Sequence, residues 1–225
     1  MQLVYPPLPV QGMVSRSILF IIQCHTPKYP ENINHCIMLN KLLRYLFLLL
    51  GFLALSTPRP VSAAPMPDPE NTLYLDLQSG RVVIQMFPDV APHHVARIKE
   101  LTRKGFYNGL AFHRVIPGFM AQTGDPLGDG TGGSGRQLKA EFSNKPHLRG
   151  TVSMARASDP DSADSQFFIC FAPAPFLDGQ YTVWGRVVSG MEFVDKITAG
   201  SRFNNGAVSN PSRIVRMQVA SDVKN

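Results

Sequence analysis

The sequence has little charge, few cysteines and no residue spacing typical of a metal site. Only 17% of its 225 residues are Asp, Glu, Lys or Arg, and its three cysteines are Cys24, Cys36 and Cys170. No CxxC pair and no cysteine–histidine spacing occurs, so we expect no metal and no disulfide framework. Cys170 falls in an apolar run and is interpreted as a small core residue.

Basic residues do not cluster in the larger part of the chain. The net charge of +6 divides into +4 for residues 1–64 and +2 for residues 65–225. A nucleic-acid surface usually carries Lys and Arg clustered on one element, so we expect no nucleic-acid partner. The Gly-rich segment 124–135 lacks the Lys-Ser/Thr of a phosphate-binding loop. The absence of a Gly-x-Ser-x-Gly elbow argues against a serine hydrolase.

Residues 38–64 have the pattern of a secretory signal peptide. Lys41 and Arg44 precede an apolar run of 11 residues, 45–55, and the small residues Ala63 and Ala64 offer cleavage positions. A membrane-spanning helix needs about 20 apolar residues, so we expect no stable membrane anchor. The pattern predicts a periplasmic protein that is secreted through a cleaved signal peptide.

The signal-peptide pattern begins 37 residues after the first methionine. We hypothesise that translation starts at Met38 and that residues 1–37 are a misassigned upstream extension. The alternative is a genuine extension of unknown role. Residues 65–70 are rich in proline and predict an extended linker, and residues 71–225 are expected to form the folded domain.

The folded part is dominated by short segments in which apolar and polar residues alternate. Segments 72–77 and 81–87 predict a hairpin, and the spacing after Pro92 predicts a helix that ends at Gly105. Further strands are expected at 150–155, 165–171, 181–188 and 213–219, and a short helix at 191–198. About eight strands with two helices indicate an all-β barrel or sandwich.

The segment 112–125 is the strongest hint of a functional site. It contains a cation, Arg114, and an amide, Gln122, within apolar runs that flank a Pro-Gly turn. Side chains alternate on a strand, so Arg114 is expected to share a face with Phe112, and His113 is expected to face the opposite way. A guanidinium among apolar residues needs partners, which leaves two alternatives, a structural ion pair and a functional cation.

Segment 112–125 resembles the signature of the cyclophilin family. Five further motifs follow in the order of that family, at residues 130–133, 153–155, 165–169, 176–179 and 184–187. The resemblance covers residues 70–220 and implies a closed eight-stranded antiparallel barrel capped by two α-helices. It also implies a peptidyl-prolyl cis-trans isomerase.

The resemblance also implies which residues form the site. It assigns catalysis to Arg114. It assigns substrate binding to Phe119, Met120, Gln122, Ala155, Arg156, Gln166, Phe168, Phe176, Leu177 and Tyr181. Rotation about an X–Pro bond breaks no bond, so no metal and no cofactor is expected. The expected partners are proline-containing peptides and unfolded exported proteins, and we expect a monomer.

Three positions differ from residues that are frequent in the family. Phe176 stands where Trp is frequent, Tyr181 where His is frequent, and Arg156 where Asn is frequent. Phe176 lacks an indole N–H donor, so we predict weak cyclosporin binding with retained catalysis. Tyr181 keeps an aromatic face, and the backbone of Arg156 can still bind a peptide. These residues are more similar to bacterial cyclophilins. The alternative function is a non-catalytic proline-peptide-binding module or chaperone.

Overall fold

The computed structural model describes residues 68–223. The predicted upstream extension, 1–37, and the predicted signal peptide, 38–64, lie outside the described residues. The end of the predicted linker lies inside them, where Pro69–Asn71 forms one turn of 3-10 helix.

Eight strands form one antiparallel sheet. The strands are β1 (Thr72–Leu77), β2 (Gly80–Met86), β3 (Arg114–Ile116), β4 (Met120–Thr123), β5 (Thr151–Met154), β6 (Phe167–Cys170), β7 (Val183–Ser189) and β8 (Ile214–Val219). Their order in the sheet is β3-β4-β6-β5-β7-β2-β1-β8. The prediction of an all-β antiparallel fold with eight strands is confirmed. The ladders alone form a half-barrel rather than the closed barrel that the resemblance implies, because the end strands β3 and β8 share no ladder.

Within residues 68–223, two α-helices accompany the sheet. Helix α1 (Pro92–Arg103) begins with proline at its first position, where no backbone donor is needed, and it buries Val95, Ile98 and Leu101. Helix α2 (Met191–Val194) is shorter than predicted, because the chain continues after it with i→i+3 hydrogen bonds of 3-10 type. Within residues 68–223, no helix is long and apolar enough to cross a membrane.

The main core lies on one face of the sheet. At its centre the ring of Phe167 makes edge contacts with Tyr107 and Trp184, at centroid distances of 5.6 and 5.5 Å. Such edge-to-face pairs add to the free energy that burial of the rings already contributes. The predicted inward residues of the first hairpin, Leu73 and Ile84 among them, belong to this core.

Strand β6 is buried on both faces, as its continuous apolar run predicts. Phe167 and Ile169 belong to the main core, whereas Phe168 and Cys170 belong to a second, smaller apolar cluster. Because successive side chains of a strand point to opposite faces, the second cluster lies on the other side of the sheet. The interpretation of Cys170 as a core residue is confirmed, and burial raises the pKa of its thiol to about 12.

The register of four neighbouring strands places one row of residues across the sheet. Arg114 of β3 pairs with Gln122 of β4, Gln122 pairs with Phe168 of β6, and Phe168 pairs with Ser153 of β5. Directly paired residues have their side chains on the same face. Arg114, Gln122 and Phe168 therefore lie side by side although 54 positions separate the first from the last.

Candidate active site

A groove of about 510 Å³ lies beside the smaller apolar cluster. Nine of the eleven predicted site residues line it: Arg114, Phe119, Met120, Gln122, Ala155, Arg156, Phe168, Leu177 and Tyr181. The tenth, Phe176, packs its ring 5.4 Å from the ring of Phe119. The eleventh, Gln166, lines an adjoining cavity of about 410 Å³ that shares Gln122 and Ala155 with the groove.

The guanidinium of Arg114 is half-buried and held by three hydrogen bonds. Its Nη1 donates to Oε1 of Gln122 at 3.1 Å, its Nε donates to the backbone oxygen of Asn205 at 3.0 Å, and its Nη2 donates to Oδ1 of Asn205 at 3.0 Å. No carboxylate between residues 68 and 223 forms an ion pair with it, so the structural ion pair is not what the structure contains. Burial lowers the pKa of Arg114, but an arginine stays protonated at neutral pH.

Gln122 continues the hydrogen bonding away from Arg114. Its Nε2 donates to Oε1 of Gln166 at 2.9 Å, and Nε2 of Gln166 donates to the backbone oxygens of Gly130 and Gly132 at 3.0 and 2.8 Å. These bonds set the orientation of both amides, since each amide nitrogen must face an oxygen. Gln166 therefore acts on the groove through Gln122 and through the Gly-rich segment.

The apolar end of the groove is a socket formed by the smaller cluster. Met120, Phe168 and Leu177 are buried there, and Phe119 and Tyr181 pack against them. The ring of Phe168 meets the ring of Tyr181 edge-on, at a centroid distance of 5.9 Å. An apolar wall of this kind fits a small ring without polar groups, and Arg114 lies at its margin.

A buried histidine behind the socket connects its parts. The Nδ1 of His147 lies 2.8 Å from Oδ1 of Asp178, its Nε2 lies 3.1 Å from Oγ of Ser153, and its ring stacks on Phe168 at a centroid distance of 6.1 Å. The backbone and side-chain hydrogen bonds from His147 lower the pKa of Asp178. Asp178 directly follows the socket residue Leu177. His147 therefore connects the segment of Leu177 to Phe168, on which its ring stacks.

The contacts from Ser153 to His147 and from His147 to Asp178 follow the order of a serine-hydrolase triad. Unlike the nucleophile of such a triad, however, Ser153 is not accessible. The hydroxyl of Ser153 is completely buried and donates to the backbone oxygen of Thr182 at 2.9 Å. A nucleophile must reach a substrate carbonyl, and this hydroxyl does not. The geometry agrees with the sequence argument against a hydrolase.

The prediction about Phe112 and His113 is wrong. Phe112 lies in the main core, and His113 lines the groove beside Arg114. The physical reason is that β3 begins only at Arg114, so the alternation of a strand does not extend to the two preceding residues. Burial lowers the pKa of His113.

Asn205 is a site residue that sequence reasoning missed. It lies in the segment 200–212, which has no apolar period, and it holds Arg114 through two oxygens. The signal that could have found it is the pair Asn205-Gly206, a typical turn. Asn205 has φ 48°, in the left-handed region that Asn tolerates better than most residues.

The three positions that differ from frequent family residues contact the groove in different ways. Phe176 is 63% exposed at its rim. The guanidinium of Arg156 lies 4.6 Å from the ring centroid of Tyr181 and donates to the backbone oxygen of Gln180. The side chain of Arg156 is thus used within the protein, and it covers Tyr181 by a cation–π contact.

Residues 68–223 contain no group of three His, Cys, Asp or Glu side chains arranged to hold a metal ion. The groove itself offers hydrogen bonding from the guanidinium of Arg114 beside an apolar socket.

The family model described as cyclophilin type peptidyl-prolyl cis-trans isomerase/CLD matches residues 72–219. A relative from Brucella suis biovar 1 (strain 1330), named probable peptidyl-prolyl cis-trans isomerase, is 55% identical over 186 residues, which are 77% of this chain and 94% of the relative. Peptidyl-prolyl cis-trans isomerase B of Bacillus subtilis (strain 168) is 46% identical over 132 residues, covering 57% of this chain and 92% of that protein.

Two solved structures share the fold. The cyclophilin AquaCyp293 from Hirschia baltica has a TM-score of 0.63 and 29% identity, covering 70% of this chain and 76% of that one. A cyclophilin-type peptidyl-prolyl cis-trans isomerase from Cryptosporidium parvum, crystallised in the presence of the dipeptide Ala-Pro, has a TM-score of 0.61 and 26% identity. It covers 68% of this chain and 99% of that one.

Neighbouring phenylalanines on opposite faces of β6 allow a matched test of the groove. Each of Phe167→Ala and Phe168→Ala is expected to lower the free energy of unfolding by about 3–5 kcal/mol, because each empties a buried aromatic site. Only Phe168→Ala is expected to weaken the binding of a proline-containing peptide, by about tenfold or more. Urea unfolding and peptide titration under conditions where both variants are folded would check this. Equal peptide affinities for the two variants would contradict it.

Proposed function

This chain belongs to the cyclophilin-type peptidyl-prolyl cis-trans isomerase family and is an isomerase, and from this we propose that it accelerates X–Pro isomerisation during the folding of exported proteins. The observation that carries the proposal is the position of Arg114. Its guanidinium has no carboxylate partner among residues 68–223 and lies in the same groove as Phe119, Met120 and Phe168.

The reaction makes and breaks no covalent bond. The barrier to rotation, about 18–20 kcal/mol, arises from the resonance of the amide, and cis and trans X–Pro bonds interconvert in tens to hundreds of seconds without help. A catalyst must bind the twisted amide better than either planar form. Fixed hydrogen-bond donors and a socket for the proline ring are sufficient for this.

Arg114 supplies the fixed donors. A guanidinium has five N–H groups, and three of them are donated to Gln122 and Asn205, so two remain for a ligand. In the twisted state the proline nitrogen regains its lone pair, and an N–H donor aimed at it becomes stabilising. Preorganised donors of this kind contribute about 2.7–4 kcal/mol to catalysis.

The other groove residues hold the peptide while one bond turns. We assign the proline ring to the socket of Met120, Phe168 and Leu177. The backbone N–H of Ala155 donates to the backbone oxygen of Gln166 at 2.9 Å. A peptide can therefore form a backbone hydrogen bond with Ala155 only by donating to the carbonyl oxygen of Ala155. Gln122, whose amide is already oriented, is proposed to hold the peptide next to the bond that rotates. The Ala-Pro dipeptide named with the Cryptosporidium parvum relative supports this class of ligand.

We propose further that the barrel is closed at its two end strands by the segment that precedes β3. An isolated antiparallel bridge joins Ala111 to Arg213, next to β8, and the amide of Phe112 donates to the backbone oxygen of Ser212 at 2.9 Å. Helices α1 and α2 both contribute residues to the main core, and we propose that they cap the barrel.

Export is proposed from the signal-peptide pattern of residues 38–64. The clients are then unfolded exported proteins, and the place of action is the periplasm. We propose a monomer without a stable membrane anchor. The near-balanced charge of residues 65–225 supports the proposal that no nucleic acid is a partner.

Arg114→Ala tests the catalytic proposal. The variant is expected to lower kcat/KM for a proline peptide roughly 100- to 1000-fold, which corresponds to the loss of about 2.7–4 kcal/mol of transition-state stabilisation. Arg114→Lys keeps the charge but loses the forked donors, so it should also lose most of the rate. Arg216→Ala, at an exposed position of β8, is the matched control. Activity near that of the unaltered protein in Arg114→Ala would show that Arg114 is structural.

Phe176→Trp tests the predicted weak binding of cyclosporin. Position 176 is exposed at the rim, so an added indole N–H can reach a ligand. A neutral hydrogen bond contributes about 0.5–1.5 kcal/mol, so affinity should rise roughly 2- to 12-fold. Isothermal titration measures this, and Phe142→Trp, which adds an exposed indole elsewhere, should leave the affinity unchanged. No rise in Phe176→Trp would refute the role given to the indole.

The export proposal has a direct test in the native host. Cell fractionation should place the protein in the periplasm, and N-terminal sequencing should find a chain that starts at Ala64 or Pro65. The intact mass of the uncleaved precursor should correspond to a start at Met38. A cytoplasmic protein that keeps residues 38–64 would rule out export, while leaving the isomerase activity untouched.

A further inference from the structure

The segment 201–206 is an ordered loop at one side of the groove. Asn204 and Asn205 line the groove, and the amide of Gly206 donates to the backbone oxygen of Ser201 at 2.8 Å. The guanidinium of Arg202 donates to the backbone oxygen of Pro117 at 2.8 Å, which ties the loop to the turn between β3 and β4. The loop is therefore held in place by its own bonds and by its bond to that turn.

Phe203 lies in the middle of this loop and is fully exposed, with a relative accessibility of 103%. None of the residues 68–223 covers its ring. Single exposed apolar residues are common on proteins and need no explanation. Phe203 differs because Asn204 and Asn205, which follow it directly, line the groove, and because Asn205 holds Arg114.

Exposed apolar residues gather around the groove. Phe176, 63% exposed, packs on the groove residue Phe119, and Leu127, 69% exposed, precedes the groove residue Gly128. With Phe203, these are three of the seven large exposed apolar side chains in the described part of the chain. Apolar side chains beside groove residues offer contacts to an apolar group of a bound ligand.

The two ends of the groove are chemically different. On one side it shares Ala155 and Arg156 with the adjoining cavity, and on another side it reaches the loop 201–206 beside Arg114. Gln122 lines both cavities and accepts a hydrogen bond from Arg114. We place the peptide that precedes the rotating bond on the side of Ala155, and Arg114 bonds to the proline as in the proposed mechanism. The chain that follows the proline then passes the loop that carries Phe203.

We propose that Phe203 is a specificity-determining residue that contacts an aromatic or large aliphatic side chain of the client, within the first four residues after the proline. The inference rests on the proposed function and adds a substrate class to it. Such side chains are buried in a folded client and exposed in an unfolded one. The contact therefore directs the enzyme to chains that have not yet folded.

The experiment uses the full chain and a series of alanine-rich peptides with one proline. Each peptide carries Phe, Ala, Lys or Glu at one of the four positions after the proline, and NMR exchange spectroscopy measures isomerisation without a coupling protease. At one or more positions, the Phe peptide is expected to show a KM about 3- to 10-fold lower than the Ala peptide, with similar kcat. Phe203→Ala should bring this KM ratio close to one, and Phe203→Leu should keep part of it. Val215→Ala, which removes an exposed apolar side chain on β8, should keep all of it.

The outcomes separate this inference from the proposed function. Isomerisation of no peptide would refute the proposed function itself. Normal rates with equal KM values for Phe and Ala peptides would refute the role of Phe203 alone. A preference for Phe that survives in Phe203→Ala would show that another residue makes the contact. A preference for Glu over Phe would show that Arg202, not Phe203, is the residue of the loop that contacts the client. Either result overturns the inference.

Discussion

Arg114 is held by oxygen atoms that carry no net charge, and the proposed chemistry depends on this. Bringing a guanidinium into a half-buried position has a desolvation cost that hydrogen bonds must offset. Here Gln122 and Asn205 provide those bonds. A carboxylate would hold the guanidinium as well, but it would neutralise the charge that the groove presents. Neutral acceptors fix the geometry and leave the positive charge directed at a ligand.

The four residues of strand β6 contribute both to the main core and to the groove. Phe167 and Ile169 fill the main core, while Phe168 and Cys170 face the smaller cluster. The floor of the groove is therefore one surface of a strand whose other surface is at the centre of the fold. This arrangement makes the socket rigid, because Phe168 cannot move without disturbing its neighbours in a closely packed interior.

The remaining parts of the site come from irregular segments that the sheet brings close to Arg114. Asn205 belongs to a loop, Asp178 to a turn, and His147 to the irregular segment before β5. His147 joins Asp178 to Ser153 and stacks on Phe168, and in this way it connects a turn to the sheet. Functional residues often lie on loops that a rigid scaffold positions, and here the scaffold is the row of paired residues from β3 to β5.

Local patterns in the sequence determined most of the elements, and the resemblance to the cyclophilin family supplied most residues of the groove. Alternation in segments 72–77 and 81–87 and the spacing after Pro92 depend on neighbours a few positions away, so they were readable without a structure. The row of Arg114, Gln122 and Phe168 followed from motifs, but only strand register shows that these side chains are adjacent. Tertiary structure alone placed His113 in the groove and Phe112 in the core, since β3 starts later than the apolar run that contains it. It alone brought Asn205 to Arg114 across 91 positions, because a hydrogen bond between distant residues leaves no period in the sequence.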